Sequence, residues 1–217
     1  MTLTEVVGKG RTRELTDLAA RRGDRAHVFV DVGTGDGRLA YAVASAHPSW
    51  LVLGLDALDE PMGETAQKAG RKPAKGGVDN LVLLRASIEH VPEELRGIAN
   101  EVSVMLPWGR LLEGIVLGAS DVVDGIAALT STGARVCVTL NGEMWASTPA
   151  KYAHLPLPTP AYVADVIAPA FATAAIAVGP AAWMSAEDIA TIGSTWARRL
   201  SHGRAHPKFV RFEGVRQ

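Results

Sequence analysis

The stretch Asp31-Val32-Gly33-Thr34-Gly35-Asp36-Gly37 decides how this chain folds. An apolar run, Val28-Phe29-Val30, leads into it, and a helix-forming segment starts near Arg38. Glycines at alternate positions let the backbone turn sharply and lie flat against a ligand, where any Cβ would collide. A dinucleotide fingerprint has the form G-x-G-x-x-G, but position 38 is arginine, so its third glycine is missing. The next apolar run, Leu51-Val52-Leu53-Gly54-Leu55, ends on Asp56. A carboxylate at the tip of a second strand stands beside the glycine turn of the first in a doubly wound sheet.

A leading acid with three glycines at spacing two resembles motif I of the S-adenosylmethionine (SAM) methyltransferases. In that reading Asp56 accepts both ribose hydroxyls of the adenosyl group, and Asp31 supplies the anion that the methionine ammonium needs. The plainer reading is a glycine-rich strand-to-helix turn with no ligand.

Working outward, strand-like runs fall near 27–31, 51–55, 80–85, 101–106, 134–140, 173–178 and 208–212. Helices fit near 37–46, 60–70, 110–116, 119–130, 161–168 and 186–200. This alternation predicts right-handed crossovers, a largely parallel sheet and ligand-bearing loops at the carboxyl ends of the strands. Asp31, Asp56, Ser87, Glu89 and Pro107 all fall at such ends. The expected fold is α/β: a Rossmann-like class I SAM-dependent methyltransferase domain over 1–217, with a seven-stranded, mostly parallel sheet and helices on both faces. The last two strands suit an antiparallel finish. Residues 1–25 stand outside the pattern, as a short hairpin or an extension laid over the sheet edge. Pro149, Pro156, Pro158 and Pro160 mark 142–160 as a linker, and as the candidate lid. Lys72-Pro73-Ala74-Lys75-Gly76-Gly77 reads as a basic surface loop.

Composition narrows the class. At 217 residues the chain suits one domain with a full core, and 47% hydrophobic with 21% charged residues is ordinary for a soluble globule. No segment approaches the apolar length of a membrane span, and the N-terminus has no apolar signal core, so the expected compartment is the cytoplasm. The lone cysteine, Cys137, lies in an apolar run, which leaves no disulfide framework and no cysteine-based metal cluster. The net charge of −1 conceals segregation. Between Ser87 and Thr130 seven acids face only Arg96 and Arg110. Basic residues gather in three other places: Lys9 to Arg25, Lys68 to Lys75, and Arg198 to Arg216. If the fold brings these onto one face, that face suits nucleic-acid phosphates; the alternative is solvated surface charge.

The segment Met105-Leu106-Pro107-Trp108-Gly109 follows strand four, where base methyltransferases hold their target. Exocyclic-amine enzymes place an Asn or Asp there, and Leu106 offers no side-chain acceptor. A ring nitrogen such as adenine N1 needs none: its in-plane lone pair attacks without a general base. Catalysis is then positioning of a flipped base. Trp108 is one candidate for the clamp and Trp196 another, although a tryptophan on an amphipathic helix is ordinarily core. Trp50, Trp145 and Trp183 lie beside apolar segments and read as structural.

Four tokens, Asp31 to Gly37, Lys72 to Gly77, Leu106-Pro107-Trp108-Gly109 and Trp196-Ala197-Arg198-Arg199-Leu200 with Gly203-Arg204, make the chain similar to the Kam/Npm aminoglycoside-resistance methyltransferases, which act on N1 of adenine 1408 in 16S rRNA. The resemblance covers nearly the whole chain. It implies that Asp31, Gly33, Gly35 and Asp56 hold SAM, with Ser87, Ile88 and Glu89 around its adenine and S-adenosyl-L-homocysteine as product. It implies that Trp108 and Trp196 sandwich the flipped base and that Ser194 shapes the pocket. Lys68, Arg71, Lys72, Lys75, Arg199 and Arg204 would meet rRNA phosphates, and the partner would be the 30S subunit, met by a monomer with no metal. Departures are Ser87-Ile88 in place of small residues, His206 in place of a basic one, and a poorly matching 142–160. The rival readings are another RNA ring-nitrogen methyltransferase, for example on N7 of a tRNA guanine, a small-molecule methyltransferase, and a SAM-binding ribosome-associated protein with little turnover.

Overall fold

A computed structural model describes residues 3–142, 152–185, 187–188 and 208–217. The chain opens on a hairpin, β1 (Leu3–Gly8) and β2 (Arg11–Leu15), then a short helix, α1 (Leu18–Arg22). Both N-terminal expectations hold at once: the hairpin turns back on itself, and β1 lies antiparallel against the sheet edge at β5 (Leu81–Arg85).

Four further strands carry the fold: β3 (His27–Val32), β4 (Trp50–Asp56), β6 (Ala99–Met105) and β7 (Thr130–Asn141). β3 pairs in parallel with β4 on one side and β6 on the other, so the order of winding reverses at β3. A crevice opens outside the carboxyl ends of the strands at such a reversal. β5 pairs parallel with β4, and β7 with β6. The finish is antiparallel: β10 (Phe209–Arg216) inserts between β7 and β8 (Ile176–Val178).

Among the described residues the sheet has ten strands rather than the expected seven. The additions are the two hairpin strands and β9 (Ala182–Trp183), which pairs with β10. The expected start of the sixth strand is corrected too. The helical segment from Pro160 passes through a π turn at Val163–Ile167 and runs on to Thr173, so β8 begins only at Ile176, after Ala175 has turned with φ +55°.

Strand side chains alternate between two cores, as a period of two requires. Val28, Val30, Val32, Leu51 and Leu53 pack on α4 (Gly109–Leu117) and α5 (Ser120–Leu129). Phe29, Val52 and Leu83 face the other way, onto α2 (Arg38–Ala46) and α3 (Gly63–Ala69). Each such Val, Leu or Phe contributes about 1.5–3 kcal/mol on burial, so the two faces together fix the strand register that aims Asp31 and Asp56 at one crevice. Trp50 stacks on His47 at 3.9 Å, as a structural residue should, and Cys137 is buried. Trp183 departs from its structural assignment: it is 42% exposed on the short β9, with its ring edge over Gly142.

Candidate active site

The site is built by the carboxyl ends of β3, β4, β5 and β6. After β3 the backbone turns through Gly33, Gly35 and Gly37 at φ +70°, +58° and +72°, a left-handed run that side chains with a Cβ adopt at a cost. The amides of Gly33 and Thr34 donate to the Leu55 carbonyl at 2.8 and 2.9 Å, which ties the turn to the end of β4. A Cβ on Gly35 would point into open space, with nothing within 4 Å, whereas one on Gly33 would strike Leu111. The turn therefore presents bare backbone to the cavity and rests its back on α4.

Two carboxylates flank this turn. Asp56 accepts the Gly35 amide on Oδ2 at 2.9 Å and the Leu58 amide on Oδ1 at 3.0 Å. Both oxygens keep a lone pair for a further donor pair such as a vicinal diol. Asp31 is buried, and the Thr34 hydroxyl donates to its Oδ2 at 2.6 Å. Burial pushes its carboxyl up to about 7; the Thr34 bond works against this, and the charges of Asp56 and Asp36 add to it. A cation brought against Asp31 recovers an ionised carboxylate at neutral pH.

The third wall is Ser87-Ile88-Glu89, after β5. The Ser87 hydroxyl donates to the Glu89 carboxylate, and Arg110 approaches the same carboxylate at 3.9 Å while also pairing with Asp121. Ile88 presses onto α5 at Gly125, where a Cβ would lie 1.9 Å from the Ile88 carbonyl oxygen.

The fourth wall is the turn after β6. Leu106 takes φ +51°, rare for a residue with a Cβ, and Gly109 takes φ +59°. Leu106 borders the cavity, and its side chain packs with Met184 and Phe209 and so anchors the turn on the last strands. Trp108 is turned outward, 40% exposed. Its ring lies 6.0 Å from that of Tyr152, tilted by 58°, and the Tyr152 hydroxyl accepts the Gly109 amide at 3.1 Å. Tyr152 is a residue that sequence reasoning missed: in a proline-rich linker it carries no motif, and only the fold seats it under the Trp108 turn.

These four walls enclose one cavity of about 870 Å³. Asp31, Gly33, Gly35, Asp56, Ser87, Ile88, Glu89 and Trp108 all line it, so every expected cofactor residue and one expected base contact meet in a single space. The volume lies within the range of small-ligand sites. Bare glycine backbone, a diol-accepting carboxylate and a buried anion fit SAM group by group. Lys68, Arg71, Lys72 and Lys75 lie apart from the cavity, on α3 and the exposed loop after it. Ser194, Trp196, Arg199 and Arg204 lie outside the described residues, as does half of the 142–160 linker.

Comparison with known proteins bears on this geometry. The family described as NpmA: 16S rRNA (adenine(1408)-N(1))-methyltransferase matches residues 4–214. This chain belongs to that family. A member from Streptoalloteichus tenebrarius, named 16S rRNA (adenine(1408)-N(1))-methyltransferase, is 37% identical over 204 residues, 93% of this chain and 94% of the relative. One of the same name from Escherichia coli is 31% identical over 203 residues, 93% and 91% of the two chains. Among solved structures, a variant of the Catenulisporales acidiphilia enzyme crystallised with its cosubstrate SAM superposes with a TM-score of 0.91 at 39% identity, covering 99% of this chain and 96% of that one. The 16S rRNA methyltransferase KamB superposes at 0.89 with 35% identity, covering 99% of each. The family's cosubstrate is SAM, and the group-by-group fit of the cavity agrees with it.

Proposed function

We propose that this protein methylates N1 of adenine 1408 in 16S rRNA, using SAM, and that it acts on the assembled 30S subunit and confers aminoglycoside resistance. The supporting observation is that the glycine turn, Asp31, Asp56 and the outward-turned Trp108 share one cavity. Relatives over nearly the whole chain carry that reaction in their names, and a structural neighbour, NpmB1, is described as an aminoglycoside resistance methyltransferase.

SAM supplies an electrophilic methyl group and leaves as S-adenosyl-L-homocysteine. The chain's own residues bind and position. Asp56 receives the ribose hydroxyls, Asp31 the ammonium, and Ser87, Ile88 and Glu89 line the adenine end. Trp108 presents a face on which a flipped base stacks, and Trp196 is assigned the opposite face with Ser194 beside it. Adenine N1 is largely unprotonated at neutral pH and carries an in-plane lone pair. No side chain is needed to remove a proton, which suits a tip turn whose Leu106 is committed to packing. Lys68, Arg71, Lys72 and Lys75, with Arg199 and Arg204, are assigned to phosphates, which position the enzyme while the subunit's shape supplies selectivity. A monomer acting in the cytoplasm suits such docking.

Primer extension across the decoding site of purified small subunits tests the proposal, because a methyl on N1 blocks Watson–Crick pairing. A SAM-dependent stop next to adenine 1408 is expected. With SAM carrying a radiolabelled methyl group, label entering RNA without that stop would move the target to another base, and no label at all would leave a non-catalytic binding protein.

A further inference from the structure

A second recess, of about 410 Å³, lies away from the SAM cavity, between the N-terminal hairpin and α3. Three guanidiniums line it: Arg13 from β2, Arg21 from α1 and Arg25 just beyond. Its acids are Glu5 and Asp79, and its floor is made of small and apolar residues, among them Ala66, Ala69 and Leu81.

The guanidiniums are held in place. Glu5, almost fully buried on β1, accepts Arg13 Nε at 2.7 Å on one oxygen and Arg21 Nη2 at 3.3 Å on the other. Arg25 donates to the Arg21 carbonyl at 3.3 Å and lies 3.3 Å from Asp79, whose side chain is 88% exposed. One buried carboxylate thus organises two cations, and the other acid faces solvent. A guanidinium has five N–H donors, and these contacts use a minority of them. The Nε atoms of Arg21 and Arg25 are buried with no hydrogen-bond partner among the described residues. Buried donors of that kind are uncommon.

The recess also has a basic neighbour. The Val78 amide donates to the Ala69 carbonyl at 3.0 Å, pinching the loop between them shut at its neck. Gly70, Val78 and Asp79, at that neck, form part of the recess wall. From Thr65 to Val78 the chain carries Lys68, Arg71, Lys72 and Lys75 and no acid. The loop that carries the second basic cluster is thus rooted in the recess wall, beside the arginines of the first, although Lys68, Arg71, Lys72 and Lys75 do not themselves line the recess. Planar, pre-oriented guanidiniums beside an uncompensated basic loop suit a phosphate group.

We propose that this recess is a second RNA-docking site, in which Arg13, Arg21 and Arg25 seat a backbone phosphodiester of the substrate next to the Lys68–Lys75 segment. The inference rests on the rRNA-methyltransferase reading and adds to it a contact remote from the reacting base. A free phosphate or nucleotide shares the same chemistry, so the test separates the two sources.

The test is binding of the full chain to purified small subunits across a salt series, for wild type, Arg25→Met and Arg21→Met/Arg25→Met. Met keeps much of the side-chain volume, and the single variant leaves both Glu5 pairs intact, so it remains informative if the double variant misfolds. Expected is a roughly three- to tenfold weaker affinity at low salt, with the slope of log K against log salt shallower by about one phosphate's worth. SAM affinity and the methylation rate at saturating subunits should stay at wild-type values. A folded Arg25→Met protein with unchanged slope and affinity would reduce the arginines to structural partners of Glu5 and Asp79 and overturn the proposal. So would inorganic phosphate that raises the wild-type melting temperature but not that of the variant while subunit binding is unaltered, since the site would then hold a small anion. Binding is read without turnover, so a wild-type protein that docks but does not methylate fails the activity and still tests the recess.

Discussion

The hydroxyl of Tyr152 accepts the backbone N–H of Gly109 at 3.1 Å, joining two segments that are 43 residues apart. Gly109 opens α4 immediately after Trp108, at a point where helical amides have no intrahelical acceptor. With Leu106 pinned on Met184 and Phe209 from below, the Trp108 turn is held at both ends. Tyr152→Phe keeps the buried ring and removes the hydroxyl, and with it the acceptor for Gly109. The expected cost in stability is about 0.5–1.5 kcal/mol, the net worth of one such bond. SAM affinity, measured by calorimetry, should be unchanged, while single-turnover methylation slows several-fold because the ring beside Gly109 is less well placed. Wild-type turnover in this variant would show that the bond serves stability alone.

Trp108→Ala should bind SAM almost as the wild type does and lose methyl transfer. The ring is 40% exposed, so deletion leaves no cavity in either core. Stacking is worth about 1–3 kcal/mol per base, and loss of position at the reacting atom adds to that. Trp108→Phe, which keeps a smaller face, should recover part of the rate. Unimpaired methylation of small subunits by Trp108→Ala would remove the stacking role.

Gly125 sits inside α5, where alanine ordinarily stabilises a helix. Here the sign reverses, because a Cβ would meet the Ile88 carbonyl oxygen at 1.9 Å. Gly125→Ala must push the Ser87–Glu89 segment off the helix and into the SAM cavity. The expected cost is about 1–3 kcal/mol of stability, with a matching fall in SAM affinity. A variant with raised melting temperature and normal SAM binding would mean that this wall moves freely.

Much of this is legible in the sequence, for identifiable reasons. The β3 turn announces itself because left-handed backbone selects glycine, so Gly33, Gly35 and Gly37 are visible as letters. The parallel strands are visible because their residues are buried on both faces, as Leu51 to Leu55 are. Tyr152 was not legible, since its role lies in one contact across 43 residues. Nor was the recess: Glu5, Arg13, Arg21 and Arg25 form no spacing pattern until the hairpin folds back on β5. Gly125 was hidden as well, because a glycine inside a helix reads as a weakness until the segment packed against it is known.

Lys72→Glu with Lys75→Glu reverses two charges on an exposed segment, Lys72 and the turn Pro73–Lys75, in which no residue is buried. Melting temperature should hold. Affinity for small subunits should fall by at least tenfold at low salt and depend less steeply on salt than wild type, because phosphate contacts release counterions. Equal slopes for variant and wild type would remove the loop from the docking surface.

Asp31 gives the sharpest dependence on pH. Burial holds its carboxyl up at about 7 in the free protein, above the ordinary value of 3.8. A carboxyl whose folded value is raised stabilises the fold below its unfolded value and loses that contribution as pH rises through the folded one. The free protein should therefore shed this contribution between about pH 4 and pH 7. Relative to wild type, Asp31→Asn should gain melting temperature as pH goes from 5 to 8. Cofactor binding has the opposite sense. The SAM ammonium pairs with the ionised form, so binding below pH 7 releases a proton, and affinity should rise by up to about tenfold per pH unit toward neutrality. Above about pH 8 it should level and turn over as the ligand's own α-amino group loses its proton. Asp31→Asn should bind weakly with a flat profile between pH 5.5 and 7.5. Calorimetry in two buffers of different ionisation enthalpy counts the released proton directly. A count of zero at pH 6.5 in the wild type would show that Asp31 is already ionised and that burial does not govern it.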